Sequence, residues 1–322
     1  MLISVILFAI GLILLIKGGD WFVDGATGIA KRFNLPDIVV GATVVSIGTT
    51  LPEVMVSTTG ALQGSGAMAY GNAIGSIICN TALIAAISIV CNPGPINVKS
   101  MKTPALFFFA SAGLYCFASY VLGDFPRWLG FVMLGFFVVY TILTVRNGLK
   151  NPDAAEEEEE ESKPKALWQE LLLVVGAGVI AVGADFLVDH GQIIALELGV
   201  PETVVALLFV ALGTSLPELV TTITSLKKGR ASLGVGNVIG ANVFNLVLVS
   251  GVAVSLAPFE VPCENFLLDT GLNMSLVFEI PVMVGVMVLM TVPALVFKKL
   301  GRWQGIALLG IYAAFVVCQF VL

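Results

Sequence analysis

The sequence predicts an all-α membrane protein of ten transmembrane helices, built as two five-helix repeats of inverted topology. Three observations carry that expectation. The chain is 57% hydrophobic and only 12% charged, a balance that a soluble domain of 322 residues cannot hide. Apolar runs long enough to cross about 30 Å of hydrocarbon recur along its length. The second half also repeats the motifs of the first at a fixed offset.

The spans are predicted near 2–26, 36–62, 68–90, 104–122, 129–145, 167–190, 202–226, 232–255, 280–297 and 304–321. The opening run LISVILFAIGLILLI lacks the basic leader of a signal peptide and continues into GGDWFVDGA, which recurs later, so it is read as span 1. Lys31 and Arg32, Lys99 and Lys102, Arg146 to Lys165, Lys227 to Arg230, and Lys298 to Arg302 fall in alternate loops. The opposite loops hold only Arg127, and Lys17 lies within a span. With positive charge retained inside, both termini lie outside the cell and the multi-pass protein sits in the plasma membrane. Trp128, Trp168 and Trp303 begin spans and read as interfacial anchors. Cys79, Cys91, Cys116, Cys263 and Cys318 are scattered, without metal or disulfide spacing, and read as small buried hydrophobes. The formal charge of −6 is set largely by EEEEEE at 156–161, so it implies no nucleic-acid partner.

The internal repeat is the most informative feature. Adding 165 carries Asp20 to Asp185, Asp24 to Asp189, Pro36 to Pro201 and Glu53 to Glu218. GTTLPE at 48–53 becomes GTSLPE at 213–218, and GNAIGSIICN at 71–80 becomes GNVIGANVFN at 236–245. Five spans per half is an odd number, so the second copy enters the membrane from the opposite side, as in many secondary transporters. The organisation expected is a first repeat over 1–146, an acidic cytoplasmic linker over 147–166 acting as a solvated tether, and a second repeat over 167–322.

The repeated motifs gather oxygen atoms. Pro52 has no backbone N–H and its ring clashes with the carbonyl four residues earlier, so the helix kinks near Gly48 and Thr49 and frees carbonyls inside the membrane. Such backbone persists only where protein or a polar cavity satisfies it. Thr49 and Glu53, four apart, share a helix face, and Gly213, Thr214, Pro217 and Glu218 repeat the arrangement. A carboxylate at mid-bilayer costs about 2.5–3.5 kcal/mol on the insertion scale, so two at equivalent positions point to a function. Hard cations take such ligands, and calcium in particular binds six to eight oxygens in flexible geometry, whereas transition metals bring His or Cys. The one histidine, His190, is placed at the outer end of span 6, away from this chemistry.

Asn72, Ser76 and Asn80 form a polar stripe along span 3, matched in span 8 by Asn237, Ala241 and Asn245. Ion coordination is favoured for these asparagines over interhelical hydrogen bonding. Gly71 with Gly75, and Gly236 with Gly240, permit close helix packing. The pairs Asp20/Asp24 and Asp185/Asp189 either draw cations to the entrances or tie helix ends to neighbours.

The paired GT(T/S)LPE and GNxxGxxxxN motifs, covering essentially the whole chain, resemble the repeats of the sodium/calcium exchanger family within the Ca²⁺/cation antiporter superfamily. The resemblance implies a cation cluster near the midplane where spans 2, 3, 7 and 8 meet. Glu53 and Glu218 are then the central calcium ligands, helped by the carbonyls of Thr49 and Thr214. Sodium is expected at overlapping sites involving Ser46, Ser76, Asn80, Ala211 and Asn245, with Thr50 and Ser215 nearby and Asn72 and Asn237 in the surrounding polar shell. Relatives often carry serine where this chain has Ala241, which weakens the outward-side sodium site. Potassium-dependent members resemble an acidic pattern at the position of Asn245, so the amides Asn80 and Asn245 argue against potassium coupling. Calcium/proton antiporters typically place an acid at the positions of Gly75 and Gly240, which weakens the proton-coupled alternative.

The function expected is antiport of Ca²⁺ against Na⁺ by alternating access, electrogenic and K⁺-independent, with no cofactor and with protons as competing partners. Spans 1 and 6 would slide past the core, by analogy with the family. No nucleotide-binding loop is present in the sequence, so an ion gradient supplies the energy. A cation channel is the alternative of another class, and an odd-span inverted repeat favours alternating access over it. The chain is not read as an enzyme: an intramembrane protease needs aspartate motifs, and GGD at 18–20 is too generic. Nothing in the sequence demands a dimer, so a monomer in the lipid bilayer suffices.

Overall fold

The computed structural model describes residues 2–33, 35–150, 163–198, 213–262 and 273–321. Eleven helical segments follow in order among them: α1 Leu2–Arg32, α2 Asp37–Thr49, α3 Leu51–Leu62, α4 Gly66–Cys91, α5 Val98–Leu122, α6 Arg127–Lys150, α7 Lys163–Glu197, α8 Leu216–Lys227, α9 Ala231–Leu256, α10 Ser275–Phe297 and α11 Arg302–Val321. The chain is all-helical apart from two-residue strand pairs. Among the described residues seven helices are long and apolar enough to cross a membrane, or eight when the bent pair α2–α3 is taken as one span. Span 7 of the sequence reading falls partly on 202–212, and most of the linker on 151–162; both stretches lie outside the described residues.

Burial separates centre from periphery. The apolar windows of α9 and α4 are 89% and 72% buried, whereas those of α1 and α7 are 28% and 25% buried, so α4 and α9 form the middle of the bundle and α1 and α7 flank it. Helices α1 and α7 run antiparallel in close contact: Gly25 faces Leu173, Gly18 faces Ile180 and Gly11 faces Gly183. A Cβ on Gly25 would lie 2.5 Å from the Leu173 backbone nitrogen, so only a residue without a side chain allows this approach.

Four two-residue strands tie loop ends together as two antiparallel pairs. Strand β1 (Gly94–Pro95) pairs with β4 (Lys299–Leu300), and β2 (Asp124–Phe125) pairs with β3 (Phe259–Glu260). Lys228, after α8, donates to Asp24 at 2.6 Å and to the Asp20 carbonyl at 3.0 Å, and Arg230 reaches Asp37 at 3.4 Å. The Asp20/Asp24 pair therefore ties one helix end to its neighbour, which is one of the two roles weighed for it. Arg32 pairs with Glu170 between α1 and α7. Trp128, Trp168 and Trp303 are exposed near helix starts, and His190 packs edge-on against Phe186 on α7. Cys79 is buried, Cys91 is exposed, Cys116 and Cys318 are half-buried, and Cys263 lies outside the described residues. The uniform reading of the cysteines as buried is therefore corrected for Cys91, which sits at the exposed end of α4.

Candidate cation site

The site grows from two helix breaks. Pro52 and Pro217 each occupy the first turn of a helix, α3 and α8, where the missing N–H is tolerated. The residue before each helix has nearly the same backbone, φ −86°, ψ −2° at Thr50 and φ −88°, ψ 3° at Ser215. The break turns α3 by 45° from α2. It falls at Thr50, just beyond the Gly48–Thr49 position expected from the proline. Each break sets a glutamate, Glu53 or Glu218, in the first turn of the following helix, where the helix dipole favours negative charge.

Both glutamates are 0% exposed, and none of their four carboxylate oxygens has a hydrogen-bond partner. Glu218 is the charge that acts on Glu53, so the two acids share one site. The Thr49 and Thr50 hydroxyls lie beside the Glu218 carboxylate without meeting hydrogen-bond geometry. Around them the hydroxyls of Thr50, Ser76 and Ser215 and both amide atoms of Asn80 and Asn245 are buried and unpartnered. Leaving a buried polar group unbonded costs about 1–3 kcal/mol, so this concentration of oxygen-bearing groups marks the candidate site. Among the described residues no three His, Cys, Asp or Glu side chains gather at one point, so donors beyond the two acids are neutral oxygens. That is a donor set for a hard cation and not for a transition metal.

The outer asparagines behave differently from the inner ones. Thr49 donates to Asn237 Oδ1 at 3.1 Å, and Thr214 donates to Asn72 Oδ1 at 3.2 Å. These are the same contact under the repeat, made once between α2 and α9 and once between the α8 break and α4. Asn72 also donates to Ser57 at 2.8 Å, and Ser46 donates to the Asn237 carbonyl at 2.9 Å. Asn72 and Asn237 thus make the interhelical hydrogen bonds that the sequence reading ranked second, while Asn80 and Asn245 keep their amides unbonded. Helices α2 and α9 touch backbone to backbone: a Cβ on Gly236 would lie 2.3 Å from the Ile38 carbonyl oxygen, and one on Gly240 would lie 2.3 Å from Ser46 Oγ. Ala241 is fully buried in this seam, and Ala211 lies outside the described residues.

Several features had little or no signal in the sequence. Of five π turns among the described residues, those at Asn80–Ala85 and Asn245–Val249 start on the repeat-related asparagines and that at Gly41–Val45 lies in the α2–α9 seam; the others are at Ala118–Leu122 and Ser275–Glu279. Such turns cluster at functional sites. Cys79, one residue before Asn80, lies within electrostatic reach of both glutamates and accepts from Tyr312 at 3.9 Å. Asn242 donates to Thr81 at 2.7 Å, linking α9 to α4 beside both asparagines.

The model of the sodium/calcium exchanger protein family matches residues 3–146 and 168–321, leaving out the acidic linker. The chain is 34% identical over 310 residues to the membrane protein MJ0091 of Methanocaldococcus jannaschii, covering 95% of this chain and 94% of that protein. It is 28% identical over 358 residues to the sodium/calcium exchanger MaX1 of Methanosarcina acetivorans, covering 99% of each. The solved sodium-calcium exchanger NCX_Mj, soaked with Na⁺ and Sr²⁺, superposes with a TM-score of 0.82 at 32% identity over 98% of each chain.

Proposed function

Because this chain belongs to the sodium/calcium exchanger family, whose members are transporters, and is a membrane cation exchanger, we propose that it moves Ca²⁺ in exchange for Na⁺ by alternating access. The observation that carries the reading is the pair Glu53 and Glu218, buried in each other's field without protein partners. Two carboxylates neutralise one Ca²⁺ or two Na⁺, and overlapping sites keep both cargoes from being held fully at once, which makes exchange obligatory. A third Na⁺ makes the cycle electrogenic. Glu53 and Glu218 hold calcium with the Thr49 and Thr214 carbonyls. Ser46, Ser76, Asn80, Ala211 and Asn245 take part in the sodium sites, with Thr50, Ser215, Asn72 and Asn237 around them. The amides at Asn80 and Asn245 favour K⁺ independence.

The architecture proposed is ten spans in two inverted repeats, 1–146 and 167–322, joined by the 147–166 tether. Three observations support it. The repeat-related α1 and α7 lie antiparallel. The Thr49–Asn237 and Thr214–Asn72 bonds exchange under the repeat. Each half also contributes one strand to each β pair. The loop charges favour a plasma-membrane protein, active as a monomer, with both termini outside and the linker in the cytoplasm. The test is calcium uptake by vesicles loaded with sodium. Uptake is expected to require the outward sodium gradient and to fall at least about a hundredfold in Glu53→Gln or Glu218→Gln, losses of about 2.7 kcal/mol or more. Uptake that persists unchanged without sodium refutes the coupling.

A further inference from the structure

Some hydroxyl side chains in these helices fold onto their own backbone, and others, among them Ser111, Ser119 and Thr144, have no partner. Thr43 donates to the Val39 carbonyl at 2.7 Å, Thr141 to Phe137 at 2.9 Å and Thr291 to Met287 at 2.6 Å. Helix α8 gathers the unpartnered kind on one face. Thr221, Thr222 and Ser225 are 0%, 2% and 0% exposed, and none of their hydroxyls has a partner. They stand three, four and seven residues after Glu218, which puts them with it on one face of the helix. At about 1.5 Å per residue the row descends about 10 Å from the carboxylate toward Lys227 and Lys228. The other unpartnered hydroxyls of the described helices are scattered, whereas these three stand in one row beside a buried carboxylate.

The row leads somewhere. Just past the end of α8, Gly229 and Ser232 line a cavity of about 300 Å³, together with Ser88 and Asn92 at the end of α4. Thr222 packs against Gly234 of α9, and Val220 and Thr224 meet Gly19 of α1, so the hydroxyl row lies on the side of α8 turned from α1 and toward the bundle centre. The repeat does not reproduce it. The corresponding residues of α3 are Val56, Ser57 and Gly60, and the single hydroxyl there is already bound by Asn72.

We propose that the Thr221–Thr222–Ser225 face of α8 is the cytoplasmic access path of the cation site, carrying ions between Glu218 and the cavity at Gly229 and Ser232. Hydroxyl oxygens replace part of a cation's hydration without holding it as a carboxylate does, which suits passage. The inference rests on the exchange reading for its cargo and on the loop charges for its sidedness. It also makes the exchanger unequal on its two faces, since only one repeat carries the hydroxyl row.

The experiment substitutes Thr222→Cys and Ser225→Cys in the full chain, reconstituted and cycling, with Ile223→Cys as the off-face control. A membrane-impermeant thiol reagent is applied to one side at a time, and peptide-resolved mass spectrometry separates the new cysteines from the native ones. Positions 222 and 225 are expected to react at least about tenfold faster from the cytoplasmic side than from outside, and faster than position 223. Equal reaction at position 223, faster reaction from outside, or no reaction at either position while sodium-dependent calcium uptake continues overturns the path. In a second measurement Thr221→Val with Thr222→Val is expected to raise the KM for cytoplasmic Ca²⁺ several-fold and leave the extracellular KM unchanged, with Thr222→Ser restoring it. An equal change on both faces overturns the proposal. A protein that labels as expected but moves no Ca²⁺ on a sodium gradient refutes the exchange reading and leaves the wetted row standing.

Discussion

Gly240→Ala tests the seam on which the site is built. A Cβ at this position would lie 2.3 Å from Ser46 Oγ, 2.6 Å from Ala42 Cα and 2.7 Å from the Ala42 carbonyl oxygen. Ser46 Oγ could rotate away, but the two Ala42 atoms are backbone. Restoring an ordinary contact to them requires α2 and α9 to part by about 1 Å, since atoms in the interior normally sit about 3.5–4.0 Å apart. The Thr49–Asn237 bond at 3.1 Å and the Ser46–Asn237 bond at 2.9 Å both cross that seam and would stretch beyond hydrogen-bonding range. Overpacking costs about 1–3 kcal/mol, and each lost bond contributes about 0.5–1.5 kcal/mol. A loss of about 2–6 kcal/mol is therefore expected, together with a displaced Thr49 carbonyl and a fall in transport of more than about tenfold. Gly135, with nothing within 4 Å of its added Cβ, is the control: its alanine variant should be neutral or slightly stabilising because alanine favours helix. Thermal unfolding in detergent and vesicle uptake read the two effects. If Gly240→Ala is as stable and active as Gly135→Ala, the two helices do not touch as described and the site geometry falls with them.

Other expectations follow from single contacts. Asn245→Asp adds a third acid to the buried pair and is expected to change the sodium dependence of uptake; an unaltered sodium titration counts against Asn245 as a sodium ligand. Deleting residues 156–161 should leave basal flux largely intact, and a lost flux contradicts the tether reading. Lys228→Met removes the 2.6 Å pair to Asp24, which is partly exposed, so stability should fall by no more than about 1 kcal/mol and the loss should shrink at high salt. A much larger loss of melting temperature would mean that this lysine does more than tie α8 to α1.

The helices and the chemical centre were legible because both are written in composition and repetition. Long apolar runs give spans by length alone, and a proline followed by glutamate at two equivalent positions gives the breaks and the acids. The π turns at Asn80 and Asn245 were not legible, because an extra residue in a helical turn depends on what packs beside it and leaves no local composition signal. Asn72 and Asn80 look alike as members of one four-residue stripe. Only the neighbouring helix separates them, giving Asn72 a partner in Thr214 and Ser57 and giving Asn80 none. Lys228 reads in sequence as a loop charge, and its tie to Asp20 and Asp24 requires knowing that the end of α8 meets α1. The proximity of Cys79 to both acids is likewise a product of packing.

The depth at which polarity stops also bears on exchanger against channel. On α4 the line Asn72, Ser76, Asn80 gives way at the π turn to a mainly apolar stretch, where Ile84 and Ile89 are 1% exposed and only Thr81 and Ser88 are polar. On α9 the line from Asn237 to Asn245 gives way at the second π turn to a mainly apolar stretch, where Val249 and Val254 are at 0% exposure and Ser250 bonds back to the Asn245 carbonyl. Under the inverted arrangement proposed above, these lines enter from opposite faces and both lead to the acids, as the α8 hydroxyl row does from the cytoplasm. A channel needs a route that stands open through the centre. Here both acids and the α8 hydroxyl row are buried, so in the exchange reading the packing around them closes the routes to either face. Release then requires helices to move, and the α1–α7 pair, joined to each other by glycine contacts and about a quarter buried, has little core packing to lose.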